Sequence, residues 1–193
     1  TSTAIGSPAY FTFTALLTQV FGISDGVMRL APALFGVALV LLTWLLRERL
    51  STVGALITAV FLTVSPIAVV VSRTAGGDSI ALFAAYLLLI AWVNGRDSGN
   101  GRWFYVFTSA LALGLTSSPL FYSALVTLGI AWLGQRFVGP RLFAEDQKWG
   151  VETAVLRNGI LIGAIIFLLI NTFFLLNLGG FGAAASLTGD WLS

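Results

Sequence analysis

The chain has 193 residues, of which 58% are hydrophobic and only 9% charged, with a formal net charge of +2. A soluble domain carries about 25% charged residues, so this chain is too apolar to clothe itself for water and asks for lipid as its solvent. The small charge and the lack of a basic cluster point away from a nucleic-acid partner. With no cysteine and no histidine, disulfides, thiolate metal sites and iron–sulfur clusters are excluded, and the commonest haem ligand and general base are missing.

Residues 1–8 show no signal peptide and read as the middle of a longer chain. Residues 9–21 are apolar, but a helix over them reaches about 20 Å, too short to cross a bilayer. Tyr10, Thr14 and Thr18 recur at helical spacing and make one polar stripe. The segment is therefore expected to be a helix lying at the outer interface, a short tilted span being the alternative.

Six stretches are apolar enough to cross: 28–46, 52–72, 79–93, 103–118, 119–134 and 154–177. The third to fifth are short, so their ends should extend into flanking polar residues. Pro119 suits a first helical turn and separates the fourth and fifth spans. The expected fold is all-α: a single polytopic transmembrane domain over 1–193, with a six-helix bundle at 28–178 and the interfacial helix at 9–21. Gly159 and Gly163, Ala110 and Gly114, and Gly54 and Thr58 are small-residue pairs that suit close helix packing within the bundle.

With residue 28 outside, the inward loops hold Arg47, Arg49, Arg96, Arg102, Arg136, Arg141, Lys148 and Arg157, and the outward side holds only Arg29 and Arg73. The positive-inside rule places the first group in the cytoplasm, and Trp44, Trp92, Trp103, Trp132 and Trp149 fall near the same side. This implies a multi-pass protein of the cell membrane with membrane lipids as its neighbours.

No ionisable residue lies near the middle of a span, which argues against an ion-coupled transporter. Chemistry is left to the outer helix ends. In Ser24-Asp25-Gly26-Val27-Met28-Arg29, Asp25 and Arg29 are spaced to pair on one face. The bland reading is a helix capped by Ser24 or Asp25 with a snorkelling arginine. In Ser72-Arg73-Thr74-Ala75-Gly76-Gly77-Asp78-Ser79, Arg73 and the free N–H groups of the next helix suit a phosphate, with Gly76 and Gly77 permitting an unusual backbone. Asp78 repels a bare phosphate unless a divalent cation bridges them. The bland reading here is an Asp78 cap, with Arg73 complementing the preceding helix terminus. Asn171, Thr172 and Asn177 suit sugar hydroxyls or interhelical hydrogen bonds equally well. No other cofactor or metal set is visible.

The order of segments is informative. Gly6-Ser7-Pro8-Ala9-Tyr10-Phe11 precedes a short helix ending at Phe21-Gly22. Met28-Arg29-Leu30-Ala31-Pro32, Ser65-Pro66, Ser72-Arg73 with Asp78, and Asn171-Thr172-Phe173-Phe174 follow. This resembles the GT-C superfamily of membrane glycosyltransferases, and within it the dolichyl-phosphate-mannose-protein mannosyltransferase-like proteins. The resemblance implies inverting transfer of a sugar from a polyprenyl-phosphate donor at the outer face. Arg73 would then match an arginine near the donor phosphate, and Asp78 the aspartate ending the same turn. Several family features are altered. Gly6-Ser7-Pro8 stands where the family has a His-Pro-Pro or His-Gly-Pro motif. Gly76 stands where it has a second arginine, and Thr116-Ser117 where it has Thr-Lys. The family's catalytic carboxylate lies in a first outer loop upstream of residue 1. Two functions remain open: an active lipid-linked sugar transferase with its catalytic loop elsewhere, or a non-catalytic accessory subunit of a larger photosynthetic or respiratory membrane complex.

Overall fold

The structure, a computed structural model, describes residues 7–142, 152–172 and 180–192, and every regular element among them is helical. In chain order these are α1 (Pro8–Phe21), α2 (Asp25–Leu42), a 3-10 turn (Thr43–Leu46), α3 (Arg47–Val64), α4 (Pro66–Arg73), α5 (Asp78–Ser98), α6 (Arg102–Leu115), α7 (Pro119–Leu142), α8 (Thr153–Asn171) and α9 (Gly180–Leu192). Three stretches of the described residues are long and apolar enough to cross a membrane: Asp25–Val64, Asp78–Arg96 and Thr153–Asn171. Large apolar side chains such as Val60, Phe61, Ile130 and Ile160 are exposed along the helices, the outward-facing surface that lipid tolerates and water does not.

Each expected span has a helical counterpart, with three differences, the first being that α6 (Arg102–Leu115) stops short of residue 118 instead of extending past it. The stretch 52–72 is not one helix. It breaks at Ser65 (ψ 119°) and restarts at Pro66, because proline has no N–H to continue the ladder and holds the residue before it out of helical geometry. The Gly- and Ala-rich segment after the last expected span forms α9, which no strong apolar period announces. As expected, α5 and α7 run on into polar residues, to Ser98 and Leu142. Residues 173–177 of the sixth expected span lie outside the described residues.

α3 is kinked at Ser51, whose φ of 63° is the one positive value at a non-glycine residue among those described. The Ser51 hydroxyl accepts a hydrogen bond from Gly54 N at 3.3 Å and so caps the part of α3 that follows the kink. The glycine pair on α8 packs inside the bundle, as the sequence suggested. A Cβ on Gly159 would lie 2.5 Å from the Phe104 ring, and one on Gly163 would lie 3.1 Å from the Thr108 carbonyl oxygen. Ala110 packs with Ala81, Ala84, Leu88 and Phe121 in one apolar cluster.

The polar stripe of α1 does not face water as expected. Tyr10 is buried among Ala9, Ile80 and Ile170, and its hydroxyl donates to the Met28 carbonyl at 3.0 Å. The reason lies in α2. Pro32 sits inside that helix and cannot donate to the carbonyl one turn back, which is that of Met28. Tyr10 supplies the missing donor from a neighbouring helix. Replacing Tyr10 by Phe should cost about 1–2 kcal/mol, the penalty for an unsatisfied buried acceptor. The same change in a Pro32→Ala background, where the helix regains its own N–H, should cost little. Thermal unfolding of the four purified proteins in one detergent measures both.

Candidate functional site

Helix ends carry unpaired N–H and C=O groups, and here five of them meet at one end of the bundle. Ser7 caps α1 by accepting from Tyr10 N at 3.2 Å, and Ala9 N donates to the Thr116 carbonyl at the end of α6 at 2.9 Å. Thr12 Oγ1 donates to the Ile170 carbonyl at the end of α8 at 3.0 Å. At the start of α5, Ser79 Oγ donates to the Pro32 carbonyl at 2.7 Å. Ser118 caps α7, accepting from Leu120 N at 3.3 Å, and its hydroxyl donates to the Asp78 carboxylate. The result is a buried polar seam through Ser7, Thr12, Ser79, Thr116, Ser117 and Ser118.

Gly77 is the N-cap of α5 and is pressed against the Ser117 carbonyl and the Ser7 hydroxyl, leaving no room for a Cβ. The two glycines of the turn are therefore unequal, since Gly76 has open space around its Cβ position. Asp78 is half-buried in the first turn of α5, where its charge favours the helix N-terminus. Gly77, not Asp78, takes the cap position that the bland reading gave to the aspartate.

Asn171 is 2% exposed. Its Nδ2 donates to the Phe167 carbonyl at 2.9 Å, while its Oδ1 has no partner among the described residues. The amide cannot be turned over, because that would set oxygen against oxygen at Phe167, so the orphan is an acceptor waiting for a donor. Helices α6 and α8 run side by side with Gly159 against Phe104 and Gly163 against Thr108. Ile170, the neighbour of Asn171 in α8, is tied to the seam through the Thr12 hydroxyl.

A separate groove of about 390 Å³ opens between α2, α3 and α4. Its walls include Gly36, Val37, Val40, Leu62 and Val69, and Arg73 stands at one end. Gly36 makes the close approach possible, since a Cβ there would lie 2.7 Å from that of Ser72. Arg73 is exposed in the last turn of α4, where a cation suits the helix C-terminus. Asp25 and Arg29 are both exposed at the start of α2, neither lines this groove, and Ser24 is the residue that caps the helix, accepting from Val27 N at 3.3 Å.

The arginines of the opposite end are likewise brought together. Arg47, Arg49, Asn94, Ser98 and Trp103 border one cavity, and Gly101 packs on Val155 at the start of α8. Side chains of Arg136, Arg141 and Lys148 and of Trp149 lie outside the described residues, as does Asn177. No group of three or more His, Cys, Asp or Glu side chains converges among the described residues. Ser118 and the asymmetry of the two glycines were not singled out from sequence. A serine directly before the helix-starting Pro119 is the signal that marks Ser118.

An all-helical bundle with apolar outer faces and polar groups gathered at its ends defines a polytopic membrane protein. The chain belongs to the dolichyl-phosphate-mannose-protein mannosyltransferase family, whose sequence model matches residues 6–170, in agreement with the resemblance carried by its motifs. No curated protein and no solved structure matches it.

The glycine asymmetry is directly testable. Gly77→Ala should destabilise the protein by about 1–3 kcal/mol through overpacking against backbone, whereas Gly76→Ala should stay within about 0.5 kcal/mol of the parent. Thermal melts of the two variants, read side by side, separate them.

Proposed function

We propose that this chain is the membrane core of a glycosyltransferase that takes its sugar from a polyprenyl-phosphate donor, with the seam end at the outer face. The observation that carries the reading is the groove between α2, α3 and α4 with Arg73 at its end. An apolar trough finished by one guanidinium matches an amphiphile with a long hydrocarbon tail and an anionic head. The chain's family membership supports the same donor class.

On this reading the first isoprene units lie along Val37, Val40 and Val69, and the donor phosphate meets Arg73. The acceptor oxygen attacks the anomeric carbon from the side opposite the phosphate, the bond to phosphate oxygen breaks, and the sugar leaves inverted. The acceptor's proton passes to a carboxylate supplied from outside these residues. Arg73 balances the charge that grows on the departing phosphate, an interaction worth more in a water-poor groove than in solution. The orphan acceptor of Asn171 and the nearby seam hydroxyls are suited to hold a sugar or acceptor hydroxyl, which would donate to Oδ1. The accessory-subunit reading gains no comparable support, because lipid alone accounts for the exposed apolar faces.

Full-length protein reconstituted with a polyprenyl-phosphate sugar should release polyprenyl phosphate. Arg73→Ala should lower kcat/KM by about 10- to 100-fold, as expected for losing a charge-assisted contact, and Arg73→Lys should recover part of it. Release that is unchanged in Arg73→Ala would remove Arg73 from the donor site. A second variant tests the seam. Asn171→Leu should raise KM for the sugar-bearing donor or the acceptor while leaving the protein at least as stable, because it removes an unsatisfied buried polar group. Steady-state kinetics beside a thermal melt distinguishes that outcome from simple misfolding.

A further inference from the structure

We infer that the cavity at the arginine-bearing end of the bundle is a binding site for the headgroup of an anionic phospholipid. It encloses about 390 Å³ and is lined by Trp44, Leu45, Arg47, Glu48, Arg49, Asn94, Ser98 and Trp103. Three chain segments build it: the 3-10 turn, the first turn of α3 and the last turns of α5. A fourth wall comes from the start of α6.

The chemistry of the lining is that of a phosphodiester site at a membrane interface. Arg47 and Arg49 line the cavity with the single carboxylate of Glu48, and Arg96, Asp97 and Arg102 stand on the adjoining turns, so basic residues outnumber acidic ones four to two here. The Arg47 guanidinium lies 5.1 Å from the centre of the Trp44 ring, so stacking holds it at the rim while its N–H edge remains suited to phosphate oxygens. Asn94 Nδ2 donates to the Leu45 carbonyl at 3.4 Å, tying α5 to the 3-10 turn across the cavity. The Ser98 hydroxyl donates to the Asn94 carbonyl at 2.6 Å and accepts from Asn100 N at 3.3 Å, which fixes the cavity wall where α5 ends.

A lipid is favoured over free phosphate by what surrounds the charges. Trp44 is half-exposed, and Leu41, Leu45, Val53, Leu56 and Ile57 continue as exposed apolar surface along α2 and α3. A headgroup in the cavity would lay its acyl chains along that surface. Indole rings at the mouth of a basic pocket mark the depth at which phospholipid headgroups sit. This site is separate from the Arg73 groove and does not depend on the transferase reading.

The test is retention of lipid by the purified full-length protein in zwitterionic nanodiscs, measured by native mass spectrometry after adding phosphatidylglycerol, phosphatidylcholine or inorganic phosphate. The inference predicts one tightly retained phosphatidylglycerol, raised thermal stability with that lipid alone, and no effect of inorganic phosphate at the same concentration. Arg47→Ala with Arg49→Ala should weaken retention by about 30-fold, the effect of removing two cations near the surface. Ser98→Leu sets a larger apolar side chain in the cavity wall without changing charge and should also weaken retention. Equal retention of the two lipids overturns the inference, as does retention that Ser98→Leu leaves unchanged, which would mean diffuse attraction to a basic surface. A stabilisation by inorganic phosphate matching that by the lipid would assign the cavity to a free anion instead.

Discussion

In hydrocarbon, every backbone polar group needs a partner supplied by protein, because water is not there to provide one. That requirement is met trivially along a helix and fails at its ends and at its prolines. The architecture of this bundle is organised around those failures. Pro32 leaves the Met28 carbonyl without its helix donor, and Tyr10 is carried into the interior to replace it. The ends of α6 and α8 offer carbonyls that α1 satisfies through Ala9 N and Thr12 Oγ1. The start of α7 is capped by Ser118, which at the same time holds Asp78 on α5. Five of the helices' termini are thereby tied into one end, and α1 is fixed there by its first turns while its last residues, Val20 and Phe21, remain exposed.

Function follows from the same economy of polar groups. With so few charges available, the two of the turn between α4 and α5 have distinct places. Arg73 is exposed at the end of an apolar groove, whereas Asp78 is engaged with a neighbouring helix. Gly77 lets α5 abut the α6–α7 turn so closely that the start of α5 is sealed by protein. The anion-binding potential of that helix N-terminus is therefore spent on Asp78 and on packing, and the groove beside α4 becomes the better place for a phosphate. The opposite end collects arginine and tryptophan around a second cavity, so the two ends of the bundle present different chemistry to the two membrane surfaces.

Much of this was legible in the sequence, for reasons of scale. Helix positions and apolar faces depend on the summed character of long segments, and sums survive local exceptions. The sequence placed the starts of α1, α2, α5, α6, α7 and α8 within three residues, and the glycine pair of α8 as an internal contact. Single-residue geometry was less accessible. Pro66 was visible, but whether a proline kinks or ends a helix depends on what packs beside it. Tyr10, Thr14 and Thr18 have the spacing of a water-facing stripe, yet the partner that drew Tyr10 inward lies in α2, at a carbonyl no pattern within α1 reveals. α9 has the composition of a loop, Gly180-Phe181-Gly182-Ala183, and is held through tertiary contacts such as Trp191 Nε1 to Ser123 Oγ at 3.0 Å. The candidate residues Arg73 and Asp78 were named correctly as polar groups at helix ends, but their separate surroundings emerged only from the fold.

The claim on which the account rests is that the bundle crosses a bilayer with the seam and Arg73 on one surface and the arginine cavity on the other. The chain has no native cysteine, so single cysteines report without background. Ala75→Cys, beside Arg73, and Asn100→Cys, beside the arginine cavity, are to be treated with a membrane-impermeant maleimide on intact cells and again after permeabilisation. The account predicts labelling at position 75 in intact cells and at position 100 only once the membrane is opened. Equal labelling of both positions in intact cells, or the reverse order, would contradict it.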